Sequence, residues 1–130
     1  MSALRDALLV GIGGMLGSIA RHLAGTLAIT LAPTARLAPG TLLVNVVGCL
    51  AIGLLLGATD ARPWLSPERR LFLVTGLLGG FTTYSAFAAE TVRLAGTRAG
   101  ALAVANVVLH LVLGLGAVWL GSRAGGVLVR

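Results

Sequence analysis

Four apolar runs dominate this sequence, at about residues 4–31, 41–58, 71–92 and 99–121. Crossing the hydrocarbon core of a bilayer as a helix takes about 20 predominantly apolar residues. Each run reaches or approaches that length. In hydrocarbon a segment must satisfy its own backbone N–H and C=O groups, which a helix does. The fold class that follows is an all-α integral membrane protein with four transmembrane helices. Composition agrees: 57% of the chain is hydrophobic and 11% charged, against about 25% charged in soluble domains. A soluble domain of 130 residues would leave much of this apolar surface exposed.

The links are short and rich in turn residues. APTARLAPG carries Pro33, Pro39 and Gly40, TDARPWLSPERR carries Pro63 and Pro67, and LAGTRAG carries Gly96 and Gly100. Ser66 followed by Pro67 predicts a capped helix start. No link can hold a second domain, so residues 1–130 are expected to form one four-helix membrane unit. No cleavable signal peptide is expected, because apolar runs follow one another to the end. The lone cysteine, Cys49, lies in an apolar run and is read as a buried, inert thiol.

The net charge is +6 and every basic residue is Arg. These arginines stand mostly singly near the ends of apolar runs, as membrane anchors do, and not in the clusters of a nucleic-acid interface. With four spans, Arg5, Arg62, Arg69, Arg70, Arg123 and Arg130 share one side, and Arg21, Arg36, Arg93 and Arg98 the other. Six against four is a weak bias under the positive-inside rule. Insertion in both orientations is compatible with it, as is one orientation decided by a few arginines.

Small residues four apart let helix backbones approach closely in lipid. Gly13 and Gly17, Gly53 and Gly57, and Ala117 and Gly121 have this spacing and predict a tightly packed bundle with little lumen. GIGGMLG at 11–17 has the look of a dinucleotide-binding loop. It lies inside a span, however, and position 31 is Leu where an acidic residue is required.

Polar residues inside the spans carry the functional signal. Thr41 and Asn45 share a face of the second span. Thr75, Thr82, Thr83, Tyr84 and Ser85 gather in the third, with Glu90 near its end. Asn106 and His110 share a face of the fourth, and Ser18 and Arg21 lie toward one end of the first. Singly, each fits a packing or back-bonding role. Together, three spans present donors at helical spacing with no carboxylate at mid-membrane, which suits an anion or neutral solute better than a cation. GGFTTYSAF at 79–87 predicts a weak point in the third helix, since glycine lowers helix stability and Ser and Thr compete for backbone bonds. A break near the midplane would free carbonyls able to hold a cation. Tyr84 and Phe87 share a face there, and their ring edges carry partial positive charge.

GGMLGSIARH, GTLLVNVVG and TGLLGGFTTYSAF, in this order in a four-span chain, resemble the Fluc/CrcB fluoride channels over essentially the whole sequence. The resemblance implies antiparallel, dual-topology homodimers in the plasma (inner) membrane, with two fluoride pores and a structural sodium ion at the dimer centre. It implies pore roles for Asn45, with Thr41 one turn before it, and for Tyr84 and Phe87, with Thr83 and Ser85 as neighbouring hydroxyls. Gly79 and Thr82 match the positions whose backbone carbonyls hold sodium. Arg21 and Glu90 match vestibule or structural positions. Tyr84 stands where the family usually has Phe, and Asn106 and His110 align with a tyrosine and a serine, which places them on the fluoride path. A histidine there predicts pH-sensitive conduction.

Passive export needs no covalent chemistry, and no enzyme activity is expected. HF enters as a neutral acid and dissociates inside, and the membrane potential drives the anion out through a selective pore, giving fluoride resistance. Three rivals stand against this reading. A proton-coupled multidrug exporter needs a membrane-embedded carboxylate, and the first span offers only Asp6 at its start. A non-transporting assembly subunit has no need of polar residues aligned on three spans. An intramembrane enzyme lacks a matched nucleophile and base, since His22 and His110 stand on different spans without an acidic partner.

Overall fold

A computed structural model describes residues 2–61, 64–97 and 100–129. Arg62, Pro63, Arg98, Ala99 and Arg130, which entered the expectations above, lie outside the described residues. The described chain is helical almost throughout. Helix α1 spans Ala3–Leu31 and α2 Pro39–Ala61. The third run begins with the single turn α3, Pro67–Arg70, and continues as a π-helix over Leu71–Leu78 and the short α4, Gly79–Phe81. Helices α5, Tyr84–Ala95, and α6, Gly100–Leu128, complete it. Four helical stretches, Ala3–Leu31, Pro39–Ala61, Pro67–Ala95 and Gly100–Leu128, are long and apolar enough to cross a membrane. A 29-residue helix is about 43 Å long, more than the roughly 30 Å hydrocarbon core requires. The chain is a multi-pass membrane protein.

Local chemistry sets the helix ends. Ser2 caps α1, its hydroxyl accepting from the Arg5 N–H at 3.4 Å. Ser66 caps α3 in the same way, accepting from the Arg69 N–H at 3.3 Å with Pro67 in the first turn. The spans run a few residues past the apolar runs because a helix continues into the headgroup region while its hydrogen bonds are satisfied. Arg123 lies over the Trp119 ring, 5.5 Å from its centroid, at the C-terminal end of α6, an arrangement suited to the membrane interface.

Glycine sets the packing. Gly53 and Gly57 of α2 face the Val118 and Ser122 carbonyls of α6, and Gly121 and Gly125 of α6 face the Leu50 and Leu54 carbonyls of α2. A Cβ on Gly121 would stand 2.5 Å from the Leu50 oxygen, closer than packed atoms come. The same interlock joins α1 to the third run: Gly13 and Gly17 face the Phe72 and Leu77 carbonyls, and Gly80 faces that of Gly14. All three small-residue pairs expected from the sequence are buried, namely Gly13 and Gly17, Gly53 and Gly57, and Ala117 and Gly121.

Two residues of the third run leave helical conformation. Thr82 (φ −87°, ψ 160°) and Thr83 (φ −151°, ψ 109°) are extended between α4 and α5. Gly79 stays helical at φ −63°, ψ −38°.

Candidate ion path

Two consecutive extended residues leave backbone groups without helical partners, and in an apolar setting each such group is costly. The structure satisfies those of Thr83 with Asn45 of α2. The Asn45 Nδ2 donates to the Thr83 carbonyl at 3.1 Å, and the Thr83 N–H donates to the Asn45 Oδ1 at 2.8 Å. One side-chain amide thus replaces a stretch of backbone pairing. It also leaves the second Nδ2 hydrogen free to donate elsewhere. The Thr83 hydroxyl caps α5, accepting from the Ala86 N–H at 3.2 Å, and lies 3.3 Å from the Ser85 hydroxyl. Thr82 donates its hydroxyl back to the Leu78 carbonyl at 3.0 Å, and its methyl fills the space above Gly48. The Thr82 carbonyl accepts from Arg21 Nη1 of α1 at 3.3 Å.

Two cavities meet at Thr83. One, of about 420 Å³, is lined by Asn45, Cys49, Gly79, Thr82, Thr83, Tyr84, Phe87 and His110 among others. Its aromatic wall is continuous: the Tyr84 and Phe87 centroids are 5.6 Å apart, and those of Phe87 and His110 4.4 Å. Among the described residues, no Asp, Glu or Arg lines it. The other, of about 410 Å³, is lined by Arg21, Thr41, Thr83, Ser85 and Glu90 among others. Here the Thr41 hydroxyl donates to Glu90 Oε1 at 2.5 Å, while Glu90 Oε2 is buried without a partner. One cavity is therefore apolar with a few donors, and the other holds a cation and a carboxyl group.

Most of the residues singled out in the sequence divide between these two cavities. Asn45, Gly79, Thr82, Tyr84, Phe87 and His110 share the first cavity, Arg21, Thr41, Ser85 and Glu90 the second, and Thr83 both. Asn106 lines neither cavity. It is 1% exposed, and its Nδ2 donates to the Thr91 hydroxyl of α5 at 2.9 Å. Thr75 lines a separate cavity with Asp6 and Arg70. Cys49, expected to be buried, is half-buried and lines the first cavity. Sequence reasoning missed Thr91 and the pairing of Thr41 with Glu90. The first carried a signal, a hydroxyl one turn after Phe87. The second carried none, since 49 residues separate the partners.

The model of the family described as "CrcB-like protein, Camphor Resistance (CrcB)" matches residues 8–122. The chain belongs to the CrcB-like family. Among its relatives are proteins named fluoride-specific ion channel FluC. One from Solibacter usitatus is 47% identical over 117 residues, covering 88% of this chain and 93% of the relative. One from Methylobacillus flagellatus is 41% identical over 116 residues, covering 89% and 91%. A third, FluC 1 of Streptomyces avermitilis, is 44% identical over 114 residues, covering 88% and 90%. The CrcB-like match takes in both cavities and the residues between them, Arg21 to Leu111.

Proposed function

We propose that the chain is one subunit of a fluoride-selective channel that lets cytoplasmic fluoride leave down its electrochemical gradient and so confers fluoride resistance. The observation that carries this reading is the Asn45–Thr83 bridge between two cavities, in a chain whose relatives of near-equal length are named fluoride-specific channels. The protein is a channel, not an enzyme. An ion entering beside Arg21 would meet the Thr83 and Ser85 hydroxyls, then the free Asn45 N–H, then the Tyr84 and Phe87 rings. Hydroxyl and amide donors replace water without a fixed positive charge that would hold the anion too tightly. The Tyr84 hydroxyl adds a donor at the wall. Nothing favours the multidrug exporter, since Asp6 lies in the first turn of α1.

In this reading residues 1–130 form one four-helix unit that pairs with a second, antiparallel copy in the inner membrane, the third helix being broken near the midplane. Tyr84 is 80% exposed and α5 has no buried residue in the single subunit, which supports a second chain over this face. The weak arginine bias is compatible with dual topology. A structural sodium ion would be held at the dimer centre by the Gly79 and Thr82 carbonyls. The donor set suits a hard cation, and the Thr83 N–H that would close the next turn on Gly79 is turned to Asn45 instead. The Thr82 carbonyl already accepts from Arg21, so sodium would share or displace that contact. Such an ion would fix the two interrupted helices to one another. Purified protein in liposomes loaded with fluoride or chloride tests the function: fluoride efflux with chloride retained is expected, and no fluoride loss from a folded dimer would overturn it.

A further inference from the structure

We infer that Asn106 is a positioning residue, which sets the Phe87 and His110 rings against one another through Thr91 and does not itself meet the ion; this rests on the reading of Phe87 as a wall of the fluoride path. Three observations support it. First, Asn106 is 1% exposed and lines neither cavity, so its amide is not offered to a permeating ion. Second, its bonds form a chain across two helices. The Asn106 Nδ2 donates to the Thr91 hydroxyl at 2.9 Å, and that hydroxyl donates to the Phe87 carbonyl at 2.8 Å. The backbone carbonyl of Asn106, one turn before His110, lies 2.9 Å from His110 Nδ1. Third, the two rings at the ends of this chain are in contact, with centroids 4.4 Å apart.

The geometry has a chemical consequence. A carbonyl can only accept, so it holds the proton of a neutral His110 on Nδ1. Nε2 then carries the lone pair, and it is buried without a partner. The Asn106 side chain therefore bears, through Thr91, on where the Phe87 backbone holds its ring against His110, while the bare nitrogen of His110 is set by a backbone carbonyl that Asn106→Ala would keep. Helix α5 buries no residue in the subunit, so little apolar packing there would compensate if the chain were cut.

The test uses the full-length dimer and Thr91→Val, which keeps the shape and removes the hydroxyl, beside Thr91→Ser, which keeps the hydroxyl, and Asn106→Ala. Fluoride efflux from liposomes is read together with the NMR shifts of the His110 imidazole protons, with His22 as internal reference. Thr91→Val and Asn106→Ala are expected to lower flux about tenfold, the order of one hydrogen bond's free energy in a membrane protein. Both should move the His110 signals away from their ring-shifted positions, and the double variant should be no worse than the worse single variant. Thr91→Ser should stay within about twofold of the parent. Parent-like flux in Thr91→Val overturns the inference. So do lowered flux with unmoved His110 signals, equal loss in Thr91→Ser, or additive loss in the double variant. A parent that carries no fluoride refutes the channel reading instead, while the NMR arm still tests the positioning.

Discussion

Helix α6 meets α2 through glycines and meets α5 through a hydrogen bond and a ring contact. On the α2 side, Gly53, Gly57, Gly121 and Gly125 bring backbone against backbone along the seam. On the α5 side the contact is carried by the Asn106–Thr91 hydrogen bond and the Phe87–His110 ring contact, and α5 with its N-cap Thr83 has further polar ties to α2, from Thr83 to Asn45 and from Glu90 to Thr41. Lipid supplies no hydrophobic drive between helices, so a seam without polar ties must gain its stability from close contact. That makes a rigid frame. A helix held by a few bonds gains less per contact, but it leaves unfilled space beside it and places donors there. The cavities lie beside α5 for this reason, between the tied residues.

The largest effect should come from the frame. Gly57→Leu would drive a side chain into the Ser122 carbonyl, and overpacking of this kind costs about 1–3 kcal/mol or more where backbone cannot yield. The expected result is loss of a monodisperse peak on size exclusion. A protein of parent stability would break the contrast between the two sides of α6.

A smaller effect is expected from Thr41→Val. It removes the donor to Glu90 Oε1 and leaves that carboxyl group without a partner among the described contacts, since Oε2 has none already. The fold should persist, with fluoride flux down about tenfold, and Thr41→Ser should restore it. Equal thermal melting of parent and Thr41→Val would show that the tie serves the path and not the frame. A large fall in melting temperature would assign it to the frame.

The smallest effect concerns His110. Its neutral form presents a bare Nε2, and its protonated form presents an N–H there. Flux at fixed free fluoride should therefore rise modestly as pH falls, and the slope should flatten in His110→Ser. The other titratable groups lining this cavity are Cys49 from α2 and Tyr84 from α5. An unchanged pH profile in His110→Ser would remove His110 from the path.

Much of the frame was legible in the sequence. Apolar length marked all four helical stretches, Ser66 and Pro67 marked one start, and four-residue spacing marked Gly53, Gly57 and Gly121 as seam residues. The winding of Leu71–Leu78 as a π-helix was not legible, because a uniformly apolar run carries no phase that separates one helical pitch from another. The irregularity also fell elsewhere than the paired glycines suggest. Gly80 is required by its contact with Gly14, Gly79 has room for a side chain, and both remain helical. The extended residues are Thr82 and Thr83, whose backbone finds partners on Arg21 and Asn45. Only the fold brings those partners near. Asn106 illustrates the same limit: its face was readable from its spacing with His110, but its partner Thr91 lies on another helix.

Fluoride efflux from liposomes by Asn45→Ala, measured beside the parent, tests the central claim most directly. The substitution removes both bonds that hold Thr83 extended and the free N–H offered to the ion, and leaves the glycine seam untouched. The account predicts a folded dimer whose fluoride efflux has fallen at least about a hundredfold, the combined order of two to three hydrogen bonds. A folded Asn45→Ala dimer that empties fluoride at the parent rate would contradict it.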